Sequence, residues 1–151
     1  MRVAAALVDA RIGSRVISVE FGGFDSHNNQ RQQHDDRMRR LDAALAAFLD
    51  DVKGTEAGDE VLVLAFSEFG RRVKENGSRG TDHGVAGPMF VAGTRVKGGL
   101  YGKHPSLSEL VDGDLAHTTD FRSVYGTVVE RWFGVEHSKV LGAKYPLLGF
   151  A

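Results

Sequence analysis

A run of six apolar residues, 61–66, constrains the fold of this chain more than any other feature. The run is rich in valine and leucine, and the polar residues 58–60 and Ser67 bound it, which is typical of a strand buried on both faces of a sheet. Such strands belong to parallel sheets that helices cover on both sides. Ligands of open α/β sheets bind beyond the carboxyl ends of the strands. The run therefore predicts a central strand that is followed, from Ser67 onwards, either by a functional site or by a solvated turn.

Two more strands and several helices are predicted around this run. Residues 15–21 alternate and are rich in β-branched side chains, and residues 88–93 form a short apolar run, so both segments predict strands. Apolar residues recur every three or four positions in 38–52 and 121–132, which predicts amphipathic helices. The order of elements predicts a single α/β domain over residues 1–151, with a mostly parallel sheet and helices on both of its faces.

Charge and composition exclude several classes of function. The formal net charge is −1 and acidic residues are mixed with basic ones, so no surface of one sign is expected to attract a nucleic acid. The absence of cysteine excludes disulfides, thiolate metal sites and a cysteine nucleophile. No apolar run has the length of a membrane span, and the first residues do not form a convincing signal peptide. Composition leaves the compartment and the oligomeric state open.

Acidic and histidine side chains occur in two glycine-rich segments, 22–34 and 67–84, that each follow a predicted strand. The second segment has no hydrophobic periodicity and is expected to be a long irregular loop, which is typical of a functional segment. On a parallel sheet both segments would leave the carboxyl ends of neighbouring strands and face one crevice. Carboxylate and imidazole groups suit zinc, manganese or iron, and they recur in two-metal hydrolases. The candidate metal ligands are Asp25, His27, Glu68, Asp82 and His83.

Short motifs of acid and histidine also occur as hydrogen-bonded turns that have no metal. The glycines before both motifs, and their position after predicted strands, favour the functional interpretation. His34 is either a further ligand or a residue at the start of the following helix. The other histidines have no acidic neighbours at a useful spacing and are interpreted as surface or capping residues: His104, His117 and His137.

Several motifs stand in a fixed order along the chain: Gly22-Gly23-Phe24-Asp25-Ser26-His27, Ser67-Glu68-Phe69-Gly70-Arg71, Glu75-Asn76-Gly77, Gly80-Thr81-Asp82-His83-Gly84 and Thr119-Asp120-Phe121-Arg122. From about residue 15 onwards, this series resembles the bacterial family called domain of unknown function 1501. That family is similar in turn to the alkaline phosphatase and sulfatase superfamily, whose α/β fold carries one or two metals. The resemblance therefore implies an alkaline phosphatase-like fold and a metal-dependent hydrolase of phosphate or sulfate esters.

The resemblance also implies roles for individual residues. Asp25, His27 and His83 would bind a divalent metal, with zinc or manganese favoured over calcium. Arg71 and Asn76 would hold an oxygen of the anionic ester, since a guanidinium matches that geometry.

The same resemblance leaves the nucleophile and the second metal open. The residues Ser67-Glu68 stand where the superfamily carries Asp-His, which puts Glu68 and a second metal in question. The superfamily nucleophile follows an early strand that has no counterpart before residue 15. The chain is therefore expected to be the C-terminal portion of a longer domain that lacks the nucleophile, with Ser67 as the remaining candidate.

Two functions of different classes follow from these residues. The first is a hydrolase of small phosphate or sulfate esters, present here without its nucleophile. The second is a non-catalytic protein that keeps the metal or anion site and binds an anion, a sulfated glycan or a partner protein. A serine or threonine beside an aspartate in an upstream segment would favour the enzyme.

Overall fold

The computed structural model describes all residues from Met1 to Ala151, with one long helix, three short helices and four short strands joined by irregular segments. A 3₁₀ turn (Gly58–Glu60) precedes the first strand, and a π-helical turn (Val128–Trp132) continues the third helix. In chain order the elements are α1 (Arg2–Asp9), α2 (Gln30–Val52), β1 (Val63–Ala65), β2 (Gly70–Glu75), β3 (Thr81–Gly84), β4 (Phe90–Ala92), α3 (Phe121–Thr127) and α4 (His137–Leu141).

The strands form two separate antiparallel pairs instead of one parallel sheet. β1 pairs with β4, with Val63 opposite Ala92, and β2 pairs with β3, with Arg71 opposite His83. The expected mostly parallel, alkaline phosphatase-like sheet with helices on both faces is therefore wrong. A parallel pair needs a crossover connection, usually a helix. The chain between β1 and β4 instead folds into the β2–β3 hairpin, and β4 returns antiparallel to β1.

Residues 15–21 were expected to form a strand, and this expectation is also wrong. No residue from 12 to 23 makes a backbone–backbone hydrogen bond. Val16 and Val19 are 74% and 52% exposed, and only Ile17 packs against the core. The alternation of β-branched residues is present in the sequence, but the segment has no neighbouring strand with which to form a ladder.

The two predicted amphipathic helices are present, with changed boundaries. α2 begins at Gln30, so the polar segment before it is shorter than expected. Its apolar stripe faces α1, and the main core consists of Ala4 and Ala5 from α1 with Phe48 and Val52 from α2. None of the helices combines the length and the apolar character that a membrane crossing needs.

The chain exposes much more surface than its mass requires. Only 15 of 151 residues are buried, and the accessible surface is 10558 Å². A compact monomer of this mass would expose about 7,500 Å². Burial of apolar area therefore contributes less here than in a compact domain, and hydrogen bonds between neighbouring segments define much of the local structure.

In the C-terminal part, helix α3 ends at Thr127, earlier than the predicted helix. His137 was interpreted as a surface or capping residue, but it is buried, with 6% of its surface exposed. Its Nδ1 lies 2.5 Å from Glu130 Oε2, and its Nε2 accepts a hydrogen bond from the backbone N–H of Tyr145. The hydrogen bond from His137 lowers the pKa of Glu130. His137 thus joins the α3 region to the C-terminal tail.

Candidate metal centre

The candidate site is built on the β2–β3 hairpin, which occupies the segment 67–84 that was expected to lack regular structure. The side chain of Asn76 organises the turn, because its Oδ1 accepts hydrogen bonds from the backbone N–H groups of Ser78 and Gly80. Arg79 adopts a left-handed conformation with φ 59°, and the N–H of Asn76 donates to the carbonyl of Gly80. The turn directs β3 back along β2 and places Asp82 and His83 beside the preceding loop.

Residues 24–29 lie against this hairpin through backbone contacts. Asn29 N donates to Ser78 O at 3.0 Å, and Gln30 N donates to Arg79 O at 2.9 Å. Gly80 lies so close to the carbonyl group of His27 that a Cβ at position 80 would be 2.3 Å from that oxygen. The close approach requires glycine at position 80, and the contact places the His27 backbone directly against the hairpin.

Three of the five candidate ligands meet at one point. Asp25 Oδ1 lies 2.8 Å from His83 Nε2 and 2.9 Å from His27 Nε2, and the two Nε2 atoms are 3.1 Å apart. Three potential donor atoms, one from each side chain, therefore lie close enough together for a single cation to contact all of them. The three side chains are 44–63% exposed, which leaves their shared face open to solvent.

The Asp25 carboxylate is held in its ionised form. Its pKa is lowered chiefly by the hydrogen bond from His83, with a smaller contribution from His27, while partial burial acts in the opposite direction. An anionic carboxylate next to two imidazoles is a donor set that suits a divalent transition metal.

A neighbouring aromatic side chain orients the His83 ring, and a carboxylate lies near the His27 ring. The Phe69 ring stacks on the His83 ring, with centroids 3.8 Å apart and planes 9° from parallel. On the other side, Asp82 Oδ1 lies 3.7 Å from His27 Nδ1 and accepts a hydrogen bond from the Asn76 amide. Asp82 therefore lies near the Nδ1 side of His27 but beyond hydrogen-bond distance, and outside the ligand cluster.

The two proposed anion-binding residues both make hydrogen bonds within the chain. Arg71 donates to the carbonyl oxygens of Thr81 and Phe24 at 2.6 Å each. The amide of Asn76 is engaged at both ends, since its Nδ2 donates to the carbonyl of His27 and its Oδ1 accepts the two turn N–H groups. In this structure both side chains hold the loop and the hairpin together.

The remaining candidates lie outside the cluster. Glu68 is exposed and does not belong to the group of converging donors. Ser67 is exposed, and its Oγ accepts a long 3.5 Å hydrogen bond from the N–H of Phe69. His34 lies inside α2, where its ring makes an edge contact with Phe24. The structure therefore brings together three of the five candidate donors and leaves Glu68 and Asp82 outside the group.

Two residues that shape the site were missed in the sequence. No role was predicted for Phe69, although an aromatic residue that follows a predicted strand and directly precedes a glycine is a visible signal. Asp114 is buried and accepts hydrogen bonds from the backbone N–H groups of Val85 and Leu115, which fixes the chain just after β3. Nothing in the local sequence indicates this long-range contact.

A loop and a hairpin that meet around an exposed Asp–His–His cluster define a candidate metal-binding domain of mixed α and β structure. The chain belongs to the family described as "Protein of unknown function (DUF1501)", which matches residues 2–143. This confirms the family resemblance seen in the motifs. Neither the comparison with curated proteins nor the comparison with solved structures gave a match.

Proposed function

We propose that this chain binds one divalent transition-metal ion through Asp25, His27 and His83, and that the free coordination positions of the ion take an oxygen of a phosphate or sulfate ester. One observation carries the proposal. His83 is 56 residues from His27 and 58 residues from Asp25 in the sequence, yet the three donor atoms lie only 2.8–3.1 Å from one another.

The donor distances suit an ion with more ligands than these three. Metal bonds to imidazole nitrogen and carboxylate oxygen are about 2.0–2.2 Å long. Adjacent ligands of an octahedral ion are then about 3.0 Å apart, whereas ligands of a tetrahedral ion are about 3.4 Å apart. The observed separations of 2.8–3.1 Å let all three atoms reach one ion, and three protein ligands would leave further positions for water or an anionic oxygen.

The donor types narrow the identity of the ion. Two imidazoles and one carboxylate suit zinc, manganese or iron. Calcium prefers a shell made of oxygen ligands alone, so two nitrogens disfavour it. Zinc and manganese are therefore the first ions to test, and iron is the third.

The ester class rests on the expectation that the family is similar to the alkaline phosphatase and sulfatase superfamily. The fold, with its two antiparallel strand pairs, gives no support of its own. The chemistry is compatible, because a divalent metal held by these residues would bind and polarise an ester oxygen. Ser67, the candidate nucleophile, contacts only the backbone of Phe69 and is not hydrogen-bonded to a base. We therefore propose ester binding as the function, with at most slow hydrolysis by this chain.

Metal binding is tested first, by metal analysis of the purified chain and by calorimetric titration with Zn²⁺ and Mn²⁺. We expect one ion per chain, and we expect His27→Ala to lose most of the affinity because it removes one of three ligands. His104→Ala is the matched control, since His104 is exposed and contacts only the carbonyl of Pro105. Absence of binding to the unmodified chain would refute the proposal.

Ester binding and turnover are tested on the metal-loaded chain. Inorganic phosphate and sulfate should compete with p-nitrophenyl phosphate and sulfate for the site, and hydrolysis of both esters should stay close to the metal-only background. Fast metal-dependent hydrolysis that Ser67→Ala abolishes would make Ser67 the nucleophile and contradict the proposal. Binding without any turnover would favour the non-catalytic function, with a sulfated glycan as a candidate ligand.

A further inference from the structure

Arg71 occupies a central place between the two segments that form the metal centre. Its side chain is only 18% exposed, although it carries a full charge. Nη1 donates to the carbonyl of Thr81, two residues before His83 on β3, and Nη2 donates to the carbonyl of Phe24, which directly precedes Asp25. One guanidinium thus joins the backbones on both sides of the cluster.

We infer that Arg71 is a positioning residue of the metal centre, and that its double hydrogen bond sets the distance between the Asp25 carboxylate and the His83 imidazole. The inference rests on the metal-binding function proposed above. It departs from the role in anion binding that the sequence suggested for Arg71, because the groups of Arg71 that would hold an anion are used on carbonyl oxygens.

The planar guanidinium is well suited to this task. Its N–H groups point in fixed directions, so two acceptors bound to it are held at a fixed mutual distance and angle. A lysine has the same charge on a flexible stem, and it has no fork with which to fix two carbonyls in one plane. Arg71 also lies over the Phe69 ring at 5.1 Å, and Phe69 in turn stacks on His83. The side chain therefore restrains the orientation of His83 as well as the two backbones.

The charge of Arg71 and its double hydrogen bond affect metal affinity in opposite directions, because the charge opposes metal binding and the hydrogen bonds favour it. Nη2 lies 3.8 Å from Asp25 Oδ1, so a cation stands beside a ligand of the proposed dication. Removing that charge alone would strengthen metal binding, because the repulsion between like charges would decrease. Removing the double hydrogen bond would weaken metal binding, because the ligands would no longer be held in place. The direction of the change therefore identifies the dominant role.

The test compares Arg71→Gln, Arg71→Lys and the control Arg72→Gln in Zn²⁺ titrations. Arg72 is the neighbouring residue on β2, and its side chain is exposed. We expect both Arg71 variants to bind Zn²⁺ at least about tenfold more weakly than the unmodified chain, the range for loss of a residue that orients a ligand. Arg72→Gln should be unchanged. The visible spectrum of bound Co²⁺ should change in both Arg71 variants, since it reports the ligand geometry.

A metal-free measurement separates the failure of this inference from the failure of the proposed function. In the metal-free chain, the ring protons of His83 should show a ring-current shift in the NMR spectrum because of the stacked Phe69. Arg71→Gln should reduce that shift, and Arg72→Gln should preserve it. If the unmodified chain binds no Zn²⁺, the proposed function is wrong, while the NMR comparison still decides whether Arg71 positions His83.

Three results would overturn the inference. The first is tighter Zn²⁺ binding by Arg71→Gln, which would make charge the dominant effect. The second is unchanged Zn²⁺ affinity together with weaker phosphate binding, which would assign Arg71 to the anion. The third is an Arg71→Lys variant that matches the unmodified chain in both measurements. If Arg71→Gln does not fold by circular dichroism, the lysine variant alone decides between these outcomes.

Discussion

The close contact between Gly80 and the backbone of His27 provides a sharp test of the candidate site. A Cβ at position 80 would lie 2.3 Å from the carbonyl oxygen of His27 and 2.4 Å from its carbonyl carbon. Ordinary contact begins near 3.4 Å, so Gly80→Ala must displace the His27 backbone by about 1 Å, several times the tolerance of about 0.2 Å for metal–ligand distances. We expect Zn²⁺ affinity to fall at least about tenfold, equivalent to about 1.4 kcal/mol.

The matched control lies in the same hairpin. A Cβ at Gly77 would have no other group within 4 Å, so Gly77→Ala adds a methyl group without displacing the loop. Both variants should be titrated with Zn²⁺ by calorimetry and heated with and without the metal. Gly80→Ala should lose affinity and most of the metal-induced rise in Tm, whereas Gly77→Ala should keep both. Equal Zn²⁺ affinity in the two variants would refute the link between the Gly80 contact and the site.

Three further predictions concern other contacts of the chain. Phe69→Leu removes the ring stacked on His83, so Zn²⁺ affinity should fall several-fold in a titration while the fold is retained. Thr127→Val should destabilise the chain by about 1–3 kcal/mol in urea denaturation, because the fully buried Thr127 hydroxyl accepts a backbone hydrogen bond from the C-terminal tail that valine would leave unpaired. The Arg122 side chain, followed by its backbone N–H, lowers the pKa of Asp120 from 3.8 to about 2. The stabilisation that ionised Asp120 contributes should be complete above pH 3.8 and be lost as the pH falls through about 2. The difference in Tm between the unmodified chain and Asp120→Asn should therefore shrink over that range, and a constant difference would contradict this assignment.

The elements that the sequence predicted well are those that depend on local periodicity. The apolar stripe of α2 and the short runs that contain β1 and β4 were all recognised, because each pattern reflects one buried face. Strand pairing was not predictable in the same way, because it depends on which segment, distant in the sequence, lies next to the strand in the fold. Residues 15–21 show this limit, because they have a strand-like sequence and no partner strand.

The candidate ligands followed from residue chemistry, whereas the contacts around them depended on the hairpin. Asp25, His27 and His83 were selected as acid and imidazole groups after predicted strands, and the structure places them together although the predicted parallel sheet is wrong. The double hydrogen bond of Arg71 and the stacking of Phe69 on His83 arise from the pairing of β2 with β3. A segment interpreted as an irregular loop gave no basis for predicting either contact.

The metal ion proposed at the cluster would contribute to the stability of the fold as well as to ligand binding. The core is small, and the ligands come from two segments that meet only in the folded chain. A metal ion at 100 times its dissociation constant would stabilise the folded state by about 2.7 kcal/mol. That is a large share of the roughly 5–15 kcal/mol that separates a folded domain from its unfolded state. Substitutions that loosen the contact between loop and hairpin should therefore lower Tm more in the presence of metal than in its absence.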